Sequence, residues 1–245
     1  MLKASVAMPI GDALELAEFS VDSLIRNAGL EFRKDFEVLF ITCKTSQRVI
    51  DWLKSNQFRY IDVPYYDGKG FLFNLYTWWN LCHDESLKIA EYAINVGTDH
   101  AYYKDWLKNM LSWCQPNRIV NCRLIEPGTL PTLHLSMNLG RTTFNEFNAT
   151  LFTQLCQSIH KDELITDEIA YGHRLDASPY AMPRDVWDRF GPMRKDLRPD
   201  GVTGDTDLFD RMRLGGVQIT KALNSISYHC GGLETQQGSK EGRYT

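Results

Sequence analysis

Apolar positions follow two alternating spacings along the first half of the chain. Leu14, Ala17, Val21 and Leu24 recur at intervals of three and four residues, which is the spacing of one helix face. Between such stretches lie short continuous apolar runs with the length of buried strands. The predicted strands are residues 3–8, 36–41, 59–63 and 92–96, and the predicted helices are 14–28, a helix after Thr45 or Ser46, and 71–81. This alternation favours an α/β fold, in which a mostly parallel sheet is covered by helices on both faces.

The second half of the chain continues with shorter elements. Thr143 and Glu146 have the spacing of a capping box, so we expect a helix to begin there and to end at Ile159. The acidic stretch 162–168 predicts a solvated surface. The other predicted elements are helices at 103–113, from 185, and at 205–214, strands at 119–125, 217–223 and 225–229, and a short element at 180–183. No internal repeat or long flexible linker divides the chain, so we expect a single domain.

Composition and charge narrow the possible functions. The chain has 43% hydrophobic and 24% charged residues, which is typical of a globular protein. Its net charge of −4 provides no overall basic field, so we expect no nucleic-acid partner. No apolar run approaches the roughly 18 to 20 residues of a membrane span, and acidic residues follow the start closely. We therefore expect a cytoplasmic protein without a transmembrane segment, whose six scattered cysteines are reduced and structural.

Chemistry is most readily expected where the predicted parallel strands end. Ligands of open parallel sheets bind outside the carboxyl ends of the strands, which here means residues 9–12, 42–44 and 98–100. Asp99, followed by His100, can ligate a hard divalent cation beside a diphosphate. The alternative is that Asp99 only caps the helix that follows it.

Two further groups of residues could carry chemistry in the second half. Asp205 and Asp207 open a predicted helix that also carries Arg211. One acid could cap the helix or pair with Arg211 while the other takes a proton, or both could serve only as caps. His229 ends a predicted strand just before two glycines, where a histidine can be a ligand or a satisfied structural residue.

The order of these features resembles the GT-A fold glycosyltransferases, particularly the large inverting family two. The resemblance covers nearly the whole chain and rests on SVAMP at 5–9, on YAINVGTDHAYYKDWL at 92–107, and on PYAMPRDVWDRFGPM, GDTDLFDRMRLGG and SISYHCGG in the second half. It implies one Rossmann-like GT-A domain over residues 1–245. Within it, residues 1–125 would bind a nucleotide sugar, and residues 126–245 would bind the acceptor and carry the catalytic residue.

The resemblance also implies a reaction and assigns residues to it. The enzyme would move a sugar from a UDP- or GDP-sugar to a hydroxyl of a glycan or other acceptor, with inversion. Asp99 matches the last acid of the DxD motif and, with His229, would hold Mn²⁺ or Mg²⁺. Asp205 matches the general base, which Asp207 and Arg211 would orient. The nucleotide-sugar pocket would include Pro9, Asp12, Thr42, Lys44, Asn74, Thr98 and Asp99, and Trp187 would border the acceptor cleft.

The sequence departs from the family pattern at three positions. Gly97 replaces the first acid of DxD, Thr42 replaces an aspartate that recognises the nucleotide base, and Gly204 replaces the glutamate before the base. One alternative is therefore a non-catalytic module that binds a nucleotide sugar or a glycan. A nucleotidyltransferase is a second alternative, although no glycine-rich phosphate loop lies near the first strand.

Overall fold

A computed structural model of the chain describes residues 1–127, 135–140, 145–166, 179–197 and 199–229. Its strands are β1 (Leu2–Ile10), β2 (Phe36–Thr42), β3 (Arg59–Asp62), β4 (Ala90–Asn95), β5 (His100–Tyr102), β6 (Arg118–Glu126), β7 (Leu135–Ser136), β8 (Leu164–Thr166), β9 (Tyr180–Pro183) and β10 (Gln218–His229). Its helices are α1 (Leu14–Arg26), α2 (Gln47–Ser55), α3 (Phe71–Leu87), α4 (Trp106–Ser112), α5 (Ala149–Ile159), α6 (Arg184–Phe190) and α7 (Gly204–Leu214).

The strands form one mixed sheet in the order β3-β2-β1-β4-β9-β6-β10-β5. The first four are parallel to one another, and β6 is parallel to β10. Strand β9 lies antiparallel between β4 and β6, and β5 lies antiparallel at the edge next to β10. The α/β fold predicted from the alternating pattern, with a mostly parallel sheet, is confirmed.

Helices cover both faces of the sheet. Val6 and Met8 of β1 pack into the core that α1, α2 and α4 complete, whereas Ala7 packs into a cluster with Cys82 of α3. This division follows from the strand geometry, since successive side chains of a strand point to opposite faces. On the second face, α3, α6 and α7 also contribute to a cluster around Met182 of β9.

Two predicted boundaries were wrong, and a short strand lies in the stretch that was predicted only as a solvated surface. Helix α5 begins at Ala149, where the Asn148 side chain accepts a hydrogen bond from the backbone N–H of Leu151 at 2.9 Å. That bond gives the first turn its cap, and Thr143 of the predicted capping box lies outside the described residues. The acidic stretch contains β8, which pairs with β10. The two strands predicted at 217–223 and 225–229 are one strand, with an irregularity between Ala222 and Ile226.

The cysteines in the described part of the chain are free thiols. Burial raises the pKa of both Cys122 and Cys156 to about 12, so these thiols stay protonated at neutral pH. Cys230 and the chain after it lie outside the described residues. Among the described helices, none reaches the length and apolar content that crossing a bilayer requires.

A buried histidine stabilises the contact between α3 and the sheet. The ring of His83 stacks on that of Trp187 with centroids 4.1 Å apart, and its Nε2 lies 3.1 Å from the Tyr180 hydroxyl. Its Nδ1 lies 2.8 Å from the carbonyl of Trp79, which can only accept, so Nδ1 carries the proton. Burial lowers the pKa of His83 to about 4, so the ring is neutral in the folded protein.

We expect His83 to make the protein sensitive to acid. The unfolded residue has an ordinary pKa near 6.5, so its contribution is complete above that pH and is lost as the pH falls towards 4. The free energy of unfolding should decrease by about 3 kcal/mol over this window because of this residue. Urea unfolding of wild type and His83→Gln at several pH values measures it. Replacing the exposed His160 with glutamine should leave the pH dependence as in wild type, and a dependence shared by all three proteins would contradict the assignment.

Candidate active site

Three neighbouring strands place ionisable side chains in one row across the sheet. In the parallel pair of β6 and β10, Ile125 lies opposite Tyr228, so Glu126 and His229 follow side by side. In the antiparallel pair of β10 and β5, His229 lies opposite His100. Because the row lies where β6 and β10 end, it occupies the carboxyl edge at which ligands of such sheets bind.

Asp99 joins the two histidines of this row. Its Oδ2 lies 3.1 Å from Nε2 of His229, and its Oδ1 lies 3.2 Å from Nδ1 of His100. The two imidazole rings stack with centroids 4.5 Å apart. On the other side of His229, Nδ1 lies 2.8 Å from Oε1 of Glu126. The predicted pair of Asp99 and His229 is therefore in direct contact, and the helix-cap alternative for Asp99 is wrong, since Asp105 precedes α4.

The charges of these groups depend on one another. Burial disfavours the charged form of His229, but Asp99 and Glu126 outweigh it and raise the pKa of His229 to about 10. Burial also opposes ionisation of Asp99, yet the charge of His229 holds the pKa of that carboxyl well below its usual range. Burial and then the charge of His229 lower the pKa of His100. These groups thus include a charged His229, an ionised Asp99 and a neutral His100.

The donor atoms of this row fit a divalent metal ion. Ligand atoms of Asp99, His100 and His229 all lie within 4.8 Å of one another, which suits a single coordination shell. Nε2 of His100 is buried and has no hydrogen-bond partner among the described residues. One carboxylate and two imidazoles are ordinary ligands for divalent transition ions.

Two residues of this site, His100 and Glu126, were not predicted from the sequence. His100 was named only as the neighbour of Asp99, because the short strand β5 was not predicted. Glu126 directly follows the strand predicted at 119–125 and was not named as a candidate. Its position after the strand predicted at 119–125, parallel to the strand that ends at His229, was the signal that could have found it.

The glycine at position 97 permits the close packing of the row. A Cβ atom on Gly97 would lie 2.6 Å from Oδ1 of Asp99 and 3.3 Å from Cε1 of His100. Any side chain at this position would therefore push Asp99 or His100 out of place. The acid that the family pattern has here does not fit this arrangement.

Asp205, the predicted base, lies in the first turn of α7. Its Oδ1 accepts a hydrogen bond from the Tyr76 hydroxyl at 2.9 Å and another from the backbone N–H of Thr206 at 2.8 Å. Burial and then the charge of Asp205 raise the pKa of Tyr76 to about 12, so this hydroxyl remains a donor. A Cβ atom on Gly204 would lie 2.1 Å from the carbonyl oxygen of Arg194, so the glutamate of the family pattern does not fit there either.

Asp205 contacts α3 through Tyr76. Tyr180, the first residue of β9, lies opposite Asn95, the last residue of β4. Burial raises the pKa of Tyr180, and the charge of Asp205 raises it further. Of the three residues expected in one pocket, the structure brings Asp99 and His229 into contact and places Asp205 against α3.

Asp207, Arg211 and Trp187, which were predicted to orient the base or border the acceptor cleft, make contacts within the second half of the chain and with α3. Asp207 Oδ2 accepts from Nε of Arg211 at 2.9 Å, and the same guanidinium donates to the carbonyls of Phe190 and Pro192. The pair thereby ties α7 to the segment that follows α6. The ring of Trp187 is only 6% exposed and donates to Oδ1 of Asp84 at 2.8 Å, so its role at an acceptor cleft stays a prediction.

The residues expected in the nucleotide pocket surround the carboxyl ends of β1, β2 and β4. Asp12 accepts from the backbone N–H of Ser46 at 2.7 Å and so joins the loop after β1 to α2. The buried Thr42 hydroxyl donates to Oδ1 of Asp62 at 2.9 Å, which adds a carboxylate from β3 beside the position where the family has an aspartate. Pro9 is the residue opposite Ile41.

Lys44 and Asn74 shape the neighbouring loop. Lys44 pairs with Asp67 at 2.9 Å and lies 4.5 Å from the ring centroid of Tyr65. Asn74 accepts from the backbone N–H of Tyr66 at 2.8 Å, and its amide donates to the carbonyl of Gly70 at 2.9 Å. Thr98 directly precedes Asp99 in the chain. These contacts hold the loop that precedes α3. A role of Lys44, Asn74 and Thr98 in nucleotide binding stays a prediction.

The chain is similar in structure to solved glycosyltransferases. A crystal structure of GalNAc-T7 with UDP, GalNAc and Mn²⁺ is 10% identical, with a TM-score of 0.60, over 94% of this chain and 44% of that chain. S. aureus TarS 1-349 is 13% identical with a TM-score of 0.61, over 94% of this chain and 61% of that one. The chain has the GT-A fold.

The UDP complex of TarS gives the same result, with 14% identity, a TM-score of 0.62, and coverage of 94% of this chain and 60% of that one. The GT-A chain described here therefore spans between two fifths and two thirds of the length of these neighbours. No protein-family model and no curated protein sequence matches it. The predicted GT-A fold is confirmed by structure alone, since the identities are low.

Proposed function

We propose that the chain is a metal-dependent glycosyltransferase that moves a sugar from a UDP- or GDP-sugar to an acceptor hydroxyl with inversion. The observation that carries the proposal is the contact between Asp99 and His229, with His100 beside them, at the carboxyl edge of a GT-A sheet. Structural neighbours crystallised with UDP, one of them also with Mn²⁺, support a nucleotide-sugar donor. In this proposal residues 1–125 bind the donor, and residues 126–245 carry the acceptor site and the base.

Asp99, His100 and His229 would hold the metal. When bound, a divalent ion supplies the positive charge that stabilises the departing diphosphate. Mg²⁺ prefers oxygen ligands and keeps several of its waters, whereas imidazole is a common ligand of transition metals. Two imidazoles with one carboxylate therefore favour Mn²⁺ over Mg²⁺, and His100 takes the place of the acid that is absent at Gly97.

Asp205 would remove the proton of the acceptor hydroxyl. Tyr76 and the backbone of Thr206 both donate to Oδ1, which fixes the carboxylate, and in this proposal Oδ2 takes the proton. The hydroxyl oxygen then attacks the anomeric carbon from the face opposite the nucleotide, and the bond to the diphosphate breaks. General-base assistance of this kind contributes about 10²–10⁴ in rate. Asp207 and Arg211 support the helix that carries this carboxylate.

The test is donor hydrolysis with a panel of UDP- and GDP-sugars. We expect slow hydrolysis in the presence of Mn²⁺ that stops on addition of a chelator, returns with Mn²⁺, and returns less completely with Mg²⁺. The physical reason is that water can replace the acceptor, while the leaving diphosphate still needs the metal charge. Mass spectrometry of the released sugar and nucleotide measures the reaction.

A thermal-shift screen with UDP and GDP, with and without Mn²⁺, separates the transferase from the alternative. A nucleotide that binds the folded protein raises its Tm. Stabilisation by a nucleotide, with no hydrolysis or transfer in the presence of any metal ion tested, would favour a non-catalytic binding module. Gly97, which replaces the first acid of DxD, is the sequence feature that suggests this alternative.

A further inference from the structure

The last residue of β6 is a buried glutamate to which the proposed reaction gives no role. Glu126 is 5% exposed, and burying a carboxylate is unfavourable unless a partner compensates it. Its backbone is already held by pairing with Ser136 of β7 and by the N–H of Met137, which donates to its carbonyl at 2.9 Å. The carboxylate is therefore not needed to pair the strand, and its contact with His229 is what remains to be explained.

We infer that Glu126 is a positioning residue that fixes the ring of His229 so that Nε2 faces the metal. This inference rests on the metal site of the proposed function. The register of β6 and β10 places the two residues side by side, and Oε1 of Glu126 lies 2.8 Å from Nδ1 of His229. A metal-bound histidine commonly donates its other ring N–H to a carboxylate, which sets the orientation of the ring and strengthens the ligand.

The geometry also determines which nitrogen is available. The 2.8 Å contact is a hydrogen bond in which the Nδ1–H of His229 donates to Oε1 of Glu126. The opposite nitrogen, Nε2, points at Asp99, which belongs to the candidate ligands. The Nε2 edge of the His229 ring therefore faces the other candidate metal ligands.

Glu126 holds His229 from the side away from the candidate ligands. His229 lies between Glu126 and Asp99 and stacks on His100. Asp99 and His100 are themselves candidate ligands of a metal ion, whereas Glu126 is not among them. Among the described contacts of His229, the one with Glu126 would therefore stay available to hold the ring when an ion engages Asp99 and His100.

The experiment measures Mn²⁺ affinity without nucleotide, from the electron paramagnetic resonance signal of the free ion. Glu126→Gln keeps the size of the side chain but offers Nδ1 only a neutral amide. We expect Mn²⁺ to bind about 10–100-fold more weakly than to wild type. Glu37→Gln is the matched control, because Glu37 is a partly buried strand carboxylate that pairs with Arg59. It should bind Mn²⁺ as wild type does.

Competition by Mg²⁺ separates positioning from a simple loss of negative charge. Removing a charge weakens both divalent ions alike, whereas a misplaced imidazole weakens Mn²⁺ more than Mg²⁺, which prefers oxygen ligands. Equal weakening of the two ions, or wild-type Mn²⁺ affinity in Glu126→Gln, would overturn the inference and leave the proposed function standing. A wild-type protein that binds no Mn²⁺ would overturn both.

A second variant covers the case in which Glu126→Gln does not fold. Glu126→Asp keeps the charge but withdraws the carboxylate from Nδ1 by one methylene group. It should weaken Mn²⁺ binding in the same direction and again more than Mg²⁺ binding, and unchanged Mn²⁺ affinity in this variant would contradict the inference. Circular dichroism of each variant establishes that the protein is folded.

Discussion

Replacing Asp205 with asparagine should reduce the rate of sugar transfer by about 10²–10⁴-fold while Mn²⁺ and donor binding stay near wild type. The asparagine side chain can still accept from the Tyr76 hydroxyl and from the backbone N–H of Thr206, so the first turn of α7 should keep its structure. What the variant loses is an oxygen that can take a proton. Mn²⁺ and donor binding are expected to persist because Asp205 contacts α3 and is not among the candidate metal ligands Asp99, His100 and His229.

The measurement is kcat for transfer, with product detected by mass spectrometry, and the Kd of the nucleotide sugar by calorimetry. Asp210→Asn is the matched control, since Asp210 lies on the same helix and pairs with Arg213. Tyr76→Phe removes one of the two donors to Oδ1 and should give a smaller decrease than Asp205→Asn. Near-wild-type turnover in Asp205→Asn would remove this residue from the mechanism, whatever the state of the metal site.

Much of the fold could be predicted from the sequence because its signals are local. The apolar run at 36–41 and the helical spacing of Leu14, Ala17 and Val21 each lie within a few residues, and both elements form where they were expected. The helix at α5 was placed too early because two residues, Asn148 and Thr143, both had the chemistry of a cap. Only the geometry of the bond from Leu151 to Asn148 decides between them.

The candidate site could be predicted only in part, because its contacts are long-range. Glu126 and His229 are 103 residues apart in the sequence and meet through the register of β6 and β10. No local pattern specifies that register, so the sequence did not identify Glu126 as part of the site. The resemblance to a family supplied Asp99 and His229 as a pair, since it carries long-range information that spacing alone lacks.

The departures at Gly97 and Gly204 have a steric explanation that the sequence could not give. At both positions a Cβ atom would come within 2.6 Å or less of a neighbouring oxygen, that of Asp99 in one case and that of Arg194 in the other. In the sequence alone, the two glycines indicate only that two carboxylates of the family pattern are missing. In the structure they allow Asp99 and α7 to approach their partners closely.

Replacing Asp99 with asparagine should weaken Mn²⁺ binding by more than about 100-fold and abolish the chelator-sensitive hydrolysis of the donor. Asp99 is the one carboxylate among the three candidate ligands, and it contacts both histidines. Asparagine has nearly the same shape but no negative charge to offset that of a divalent ion. The loss should exceed that of Glu126→Gln, because Asp99 would bind the ion itself and Glu126 would act through His229.

The control is Asp105→Asn, which changes the same residue type six positions later, at the start of α4. Asp105 has a φ of 61°, a left-handed conformation that asparagine also tolerates, so this variant should fold and bind Mn²⁺ as wild type does. The Mn²⁺ affinity and the rate of donor hydrolysis are measured on the same preparations. If Asp99→Asn lost hydrolysis but bound Mn²⁺ normally, the ion would be held elsewhere, and Asp99 would not be one of its ligands.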